Sequence, residues 1–238
     1  MTTELYLDDA YLRTCHSVVT HVDGRGIQLE QTPFYALGGG QPADRGELVR
    51  SDGRRIEIVS TVRDRETGDI LHVPAEGSAV DLRTGDTVTA TIEWDLRYAH
   101  MRCHTCLHLL CALIPFPVTG GSVRAGSGRL DFDIPQPILD KEELTAKLNE
   151  LIARNAPVSF EYISEEELRG KPELVRTLEV GPPARGGKIR LVCIEGIDLQ
   201  PCGGSHLRST GEIGRARVVK MEKKGRQNRR VEVAIEDA

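Results

Sequence analysis

Aromatic residues are scarce in this chain. Phe, Trp and Tyr make up 4% of its 238 residues, whereas a surface that reads single strands by stacking bases normally carries more of them. An excess of positive charge is also missing: 31 basic and 36 acidic side chains leave a net −5, which argues against a molecule coated with phosphate-binding groups. No apolar run approaches the roughly 18 to 20 residues that cross a bilayer, and the opening MTTELYLDDAYLR has neither the basic head nor the apolar stretch of a secretion signal. A cytoplasmic protein without membrane contact is expected. In that reducing setting Cys15, Cys103, Cys106, Cys111, Cys193 and Cys202 are expected as thiols. What is present is a globular balance, 39% apolar and 28% charged, enough to bury a core in one or two compact units.

Two regions differ in pattern. Residues 1–94 read as short strands between turn signals: 15–22 and 27–31 around Asp23-Gly24-Arg25-Gly26, 47–50 and 54–63 around Ser51-Asp52-Gly53, then 70–73 and 87–94. Alternation such as Val88-Thr89-Ala90-Thr91-Ile92 fits half-buried strands of a small barrel or sandwich. From Asp95 the stretch DLRYAHMRCHTCLHLLCALI runs without Gly or Pro and reads as a helix of about five turns. A domain boundary near residue 95 follows, giving units 1–94 and 95–238. The second unit reads as α+β: strands 121–126 and 129–134, a helix 140–155 capped by Asp140 with Glu143 three residues on, strand 158–163, and a capping-box start at Ser164-Glu165-Glu166-Glu167. Strand 188–194, a loop containing Cys202 and a closing hairpin (213–221 with 229–235) complete it. The Gly- and Pro-rich segment 181–187 is expected to be the mobile one.

On the long helix, positions four apart differ by only about 40° in direction, so His100, His104 and His108 form a row. Two imidazoles in such a row can hold one ion, but Thr105 stands where a His-Glu-x-x-His protease places its general base, so that chemistry is excluded. A lone histidine pair is as often part of an ordinary core or surface. The second pair, in Cys202-Gly203-Gly204-Ser205-His206, is weak by itself. Together, His104, His108, Cys202 and His206 offer three imidazoles and one thiolate, a tetrahedral zinc set that favours Zn²⁺ over Mg²⁺ or Ca²⁺. His100 and Cys111 share the helix face and compete as ligands. His100 lies at the helix entry and Cys111 in the apolar run Leu109-Leu110-Cys111-Ala112-Leu113, so the other two are preferred. Cys103 and Cys106 point away from the row and read as packing residues.

The first unit carries a glycine loop, Phe34-Tyr35-Ala36-Leu37-Gly38-Gly39-Gly40-Gln41-Pro42-Ala43-Asp44-Arg45-Gly46. No Lys-Ser/Thr follows it, as in a phosphate-binding loop, and no helix follows it, as in a dinucleotide fingerprint. Its plainest reading is a wide turn in which Gln41 and Asp44 fix the loop or meet polar groups of a ligand. The segment Gly39–Gly46, the stretch RYAHMRCHTCLHLL (97–110), and Cys202-Gly203-Gly204-Ser205-His206 followed by Thr210-Gly211-Glu212-Ile213-Gly214 together resemble the free-standing alanyl-tRNA editing proteins (AlaX type), relatives of the alanyl-tRNA synthetase editing domain. Each motif is weak singly, but their order and separation are specific, and the resemblance covers nearly the whole chain.

The resemblance implies an α+β chain in which an N-terminal β-barrel with a glycine-rich motif precedes an editing domain shared with threonyl- and alanyl-tRNA synthetases. It implies hydrolysis of wrongly attached serine, with glycine as a second candidate, from alanine tRNA, and no capacity to charge tRNA. The metal residues carry over as His104, His108, Cys202 and His206. The polar residue beside the amino-acid pocket, which the family places on the strand after the first helix, falls on Thr119 or Ser122, with Gln41 as a further substrate contact. No obligate protein partner is implied.

The tRNA needs basic surface. From Arg215 to Arg230, eight basic residues against Glu222 give +7 and leave −12 for the rest of the chain. Lys223, Lys224 and Arg226 at the hairpin tip, with Arg229 and Arg230 beside them, are expected to meet acceptor-stem phosphates. The plainer reading is a charged edge that prevents strand pairing. Glu165-Glu166-Glu167 reads as a solvated first helical turn, and Trp94 as interdomain core. Two alternatives stand beside the editing hydrolase: a non-catalytic, zinc-stabilised RNA-binding module, and a zinc hydrolase of another small ester or amide.

Overall fold

In Thr87–Ile92 every second residue is apolar, and Val88, Ala90 and Ile92 are buried. The same alternation builds a closed barrel, as the computed structural model shows; it describes residues 1–134, 140–177, 184–225 and 227–236. The chain divides into two compact units, Met1–Tyr98 and Ala99–Ala238. That division falls one turn inside the long helix rather than at its start.

The first unit contains β1 (Thr3–Glu4), β2 (Thr14–Asp23), β3 (Gly26–Leu29), β4 (Gln31–Thr32), β5 (Gly46–Arg50), β6 (Arg55–Arg63), β7 (Ile70–Pro74) and β8 (Thr87–Ile92). The barrel closes in the order β2-β3-β7-β6-β5-β8, while β1 pairs with β4 in parallel. Closure leaves no unpaired edge. Val19, Ile27, Leu29, Leu48, Ile58 and Val88 fill its interior. His72 is wholly buried, bonded to the Ile27 carbonyl at 2.9 Å and the Thr32 hydroxyl at 2.7 Å. Burial pulls its pKa from 6.5 down to about 4.

The glycine segment is a tight turn rather than a wide one. Gly39 and Gly40 both have positive φ (56° and 79°), and the Gln41 N–H donates to the Gly38 carbonyl at 2.9 Å; two left-handed residues in succession are what such a two-residue hairpin turn requires. Nearby, Asp44 accepts from the Tyr35 N–H at 2.7 Å and from Arg97 Nε at 3.1 and 3.0 Å, one bond to each oxygen, and Arg97 Nη2 also donates to it. Arg97 further donates to the carbonyls of Ala10 (2.8 Å) and Pro33 (2.6 Å). Both members of this ion pair are buried, at 0% and 1% exposure, and both are supplied with hydrogen bonds, the condition under which a buried charge pair is tolerated. Trp94 packs within the first unit, 5.4 Å from the Tyr11 ring and 5.5 Å from Tyr98, with the Arg13 guanidinium 4.2 Å above it.

Helix α1 (Trp94–Leu113) leads into the second unit, which holds β9 (Val118–Arg124), β10 (Ser127–Asp133), α2 (Lys141–Ala153), β11 (Val158–Ser164), α3 (Glu165–Arg169), β12 (Ala184–Arg185), β13 (Lys188–Ile194), β14 (Asp198–Pro201), β15 (Arg215–Lys223) and β16 (Asn228–Glu236). One antiparallel sheet runs β15-β16-β10-β9, and a second runs β11-β13-β12 with β14 also on β13. Local signals hold at both helix starts: Asp140 accepts from the Glu143 N–H at 2.8 Å, and Ser164 and Glu167 form a reciprocal capping box. Two expectations fail. The β9–β10 turn falls at Ala125-Gly126, with Gly126 at φ 75°, so both strands lie up to three residues earlier than the sequence suggests. The glycine at 128 serves packing instead, since a Cβ there would stand 2.5 Å from Cys103 Sγ on α1. β14 occupies part of what reads as loop before Cys202. Of the segment expected to be mobile, 181–183 lie outside the described residues, while Gly186 and Gly187, at positive φ, turn β12 into β13.

Candidate metal centre

One helical turn separates His104 from His108 on α1, and β14 delivers Cys202 and the loop to His206 against them. The ligand atoms of His104, His108, Cys202 and His206 all lie within 4.8 Å of one another. Cys202 Sγ is 3.5 Å from His104 Nε2 and 3.4 Å from His206 Nε2. The His206 ring centroid is 4.3 Å from that of His104 and 4.5 Å from that of His108. All three imidazoles are buried. Neither His100 nor Cys111 belongs to the converging group; Cys111 is buried and its thiol is pushed up to about 12 by that burial.

The site is held from behind. His108 Nδ1 lies 3.0 Å from Asp198 Oδ2, and Gln200 Nε2 donates to the same oxygen at 2.6 Å. His206 Nδ1 lies 3.2 Å from the Thr105 hydroxyl, which also accepts the Leu207 N–H at 3.2 Å. The loop itself is braced by buried Arg190, which donates to the carbonyls of Cys202 (3.1 Å) and Gly204 (2.9 Å) and stacks 3.7 Å over Phe160. The Gly204 N–H points at Cys202 Sγ, 3.4 Å away. Sequence reasoning passed over Asp198, Gln200, Thr105 and Arg190 in these supporting roles. One signal was there: Asp198 and Gln200 alternate, as residues on one face of a strand do, just before the ligand cysteine.

Burial alone would raise the Cys202 thiol, but His104 and His206 outweigh it and hold the group well below its usual value, as a thiolate. For His206 burial lowers the pKa, and the neighbouring His104 and His108 lower it further, so this imidazole stays neutral. For His108 burial again opposes charge, yet Asp198 and Cys202 prevail and raise it to about 9. A deprotonated thiolate packed among three imidazoles, of which His108 and His206 have their outer nitrogens engaged elsewhere, is a donor set that fits a divalent ion.

The signature of the threonyl and alanyl tRNA synthetase second additional domain matches residues 189–232, and that of tRNA synthetases class II (A) matches residues 10–96. The alanyl-tRNA editing protein AlaX-M of Methanosarcina acetivorans is 38% identical over 247 aligned residues that span all of both chains. The chain belongs to the alanyl-tRNA editing protein AlaX-M family. The AlaX-M protein of Saccharolobus solfataricus is 35% identical, with 97% of this chain and 98% of that one aligned. An alanine–tRNA ligase of Pyrobaculum calidifontis is also 35% identical over 93% of this chain, which covers 25% of the ligase.

In this AlaX-M chain the remaining expected residues fall at separate places. Gln41 is wholly buried in the first unit. Thr119 donates to the Asp131 carbonyl at 3.2 Å and accepts from Asn228 Nδ2 at 2.9 Å; Ser122, half-buried, sits opposite Arg129 in the β9–β10 ladder. The hairpin cations are unequal. Arg230 grips Asp131 with two bonds of 2.7 and 2.9 Å, and Arg229 reaches the Gly225 and Asn228 carbonyls of its own hairpin. Lys224 pairs with Glu222 at 2.8 Å, and Lys220 with the same carboxylate. Lys223 is exposed and has no carboxylate partner among the described residues. Arg226 lies outside them. No helix among the described residues is long and apolar enough to cross a membrane.

Proposed function

We propose that this protein hydrolyses the ester joining serine, and secondarily glycine, to alanine tRNA, with zinc held by His104, His108, Cys202 and His206. The observation that carries the reading is the convergence of these four donors in a chain whose full-length relatives are named alanyl-tRNA editing proteins. Thiolate and imidazole donors select zinc over hard cations. When bound, zinc would supply a concentrated positive charge to the site.

The chain's own residues do the rest. An aminoacyl ester is far more labile than an amide, so catalysis here is mainly a matter of placing the ester and a water. Asp198 and Thr105 occupy the Nδ1 sides of His108 and His206, which leaves Nε2 of each ring as the atom presented inward. We assign the amino-acid pocket to Thr119 and Ser122 of the second unit. A pocket that bonds the serine hydroxyl rejects alanine by leaving its own polar groups unpaired; the Thr119 hydroxyl, which donates to the Asp131 carbonyl and accepts from Asn228, keeps one lone pair for that bond. Lys223 is the cation we place first against acceptor-stem phosphates, followed by Lys224, Arg226, Arg229 and Arg230.

The test is turnover of serine-, glycine- and alanine-charged alanine tRNA, with metal content measured on the same sample. Rapid release of serine, spared alanine and about one zinc per chain are expected; full activity in a metal-free sample contradicts the zinc role. Four converging protein donors are also the composition of a closed structural site. That favours one second reading, an RNA-binding module without catalysis, which predicts bound zinc and no turnover.

A further inference from the structure

We infer that Asp198 is a positioning residue for the metal centre, acting through His108 and setting the charge of the site; this rests on the zinc reading above. Three observations carry it. Asp198 is buried, at 7% exposure, and its Oδ2 lies 3.0 Å from His108 Nδ1. That same oxygen also receives the Gln200 amide at 2.6 Å, so the carboxylate is clamped against the ring rather than merely close to it. Its other oxygen, Oδ1, is buried without a hydrogen-bond partner among the described residues.

The lone oxygen matters. A buried carboxylate kept only for the fold is expected to have both oxygens bonded, because an unsatisfied one costs about 1–3 kcal/mol. Asp44 of the first unit meets that standard, and Asp198 does not. Its placement makes sense once an ion is counted. A divalent ion bound by one thiolate and three neutral imidazoles leaves one uncompensated positive charge in a buried site, which is costly. One carboxylate behind His108 brings the total to zero and locks the ring in the tautomer that presents Nε2. Thr105 does the second of these for His206 but carries no charge, so the two supports are unequal.

The experiment measures zinc affinity by competition with a coloured chelator, and the absorption spectrum of the cobalt-loaded protein, for the parent chain, Asp198→Asn, Gln200→Leu and Thr105→Val. Asp198→Asn is expected to weaken zinc binding about 10- to 100-fold and to shift the cobalt bands. Thr105→Val and Gln200→Leu should each give a smaller loss. A folded Asp198→Asn chain with parental affinity and spectrum overturns the inference. A loss in Thr105→Val as large as that in Asp198→Asn overturns its charge component. Should Asp198→Asn fail to fold, Gln200→Leu decides, because it keeps the carboxylate and removes only its clamp; unchanged affinity there overturns the inference. A parent chain that binds no zinc contradicts instead the reading on which the inference rests, and is recognised before any variant is made.

Discussion

Each unit buries a polar cluster, and the two are built to different ends. In the first, Asp44 and Arg97 satisfy one another and draw on the Tyr35 N–H and the carbonyls of Ala10 and Pro33. Every partner comes from the chain, so the cluster is finished when the barrel folds. In the second, three imidazoles and a thiolate converge; Asp198 and Thr105 engage the far sides of the His108 and His206 rings, and Gln200 holds Asp198. The inward atoms lie against one another as a group that could hold a metal ion. A self-contained buried pair reads as architecture, whereas a cluster whose supports face outward and whose donors face one another reads as a site.

That contrast can be broken. The largest effect is expected from Cys202→Ala, which should abolish zinc retention and reduce release of serine more than about 100-fold, since even residues behind the ligands are worth 10–100-fold; zinc analysis with deacylation kinetics checks it, and barrel stability should not move. Next, Arg97→Met strands Asp44 as a lone buried charge and should cost about 3–5 kcal/mol of stability, read by denaturant titration, with zinc content per folded chain unchanged. If either variant damaged both clusters equally, the distinction would fail.

A pH scan sharpens the comparison. Folded His72 stays neutral down to about pH 4, while the unfolded chain takes up its proton near 6.5. Between those values the unfolded state binds more protons, so stability falls as pH falls. The loss reaches about 3 kcal/mol at the acid end, and denaturant midpoints of a His72→Gln chain should lack this component. The smallest effect is expected from Lys223→Glu. It should reduce the slope of log affinity for tRNA against log salt by about one phosphate contact, without changing zinc content.

Much of this was readable from local pattern. The barrel strands follow the alternation of residues such as Val88, Ala90 and Ile92, and the helix starts follow Asp140 and the Ser164–Glu167 box. Where two residues of one kind compete, local pattern loses: Gly126 turns the β9–β10 hairpin and Gly128 admits Cys103 of α1, and nothing nearby distinguishes them. The row of His104 and His108 likewise follows from helical geometry, but its supports do not. Asp198 is 90 residues from His108 and Thr105 is 101 from His206. The basic segment was legible as a net charge, yet the structure sorts its members, tying Arg230 to Asp131 and leaving Lys223 exposed.

By itself, then, the sequence determined most of the barrel strands, the helix starts at Asp140 and Ser164, the helical spacing of two histidines and the segregation of +7 against −12. Each depends on interactions within a few residues or on a simple count. Only the tertiary structure decided that Cys202 and His206 meet His104 and His108 rather than His100 or Cys111, that Asp198 stands behind His108, and that Arg97 is consumed by Asp44. Those outcomes depend on how strands and helices distant in the chain pack, and a difference of a few ångströms in that packing separates a donor set from unrelated side chains.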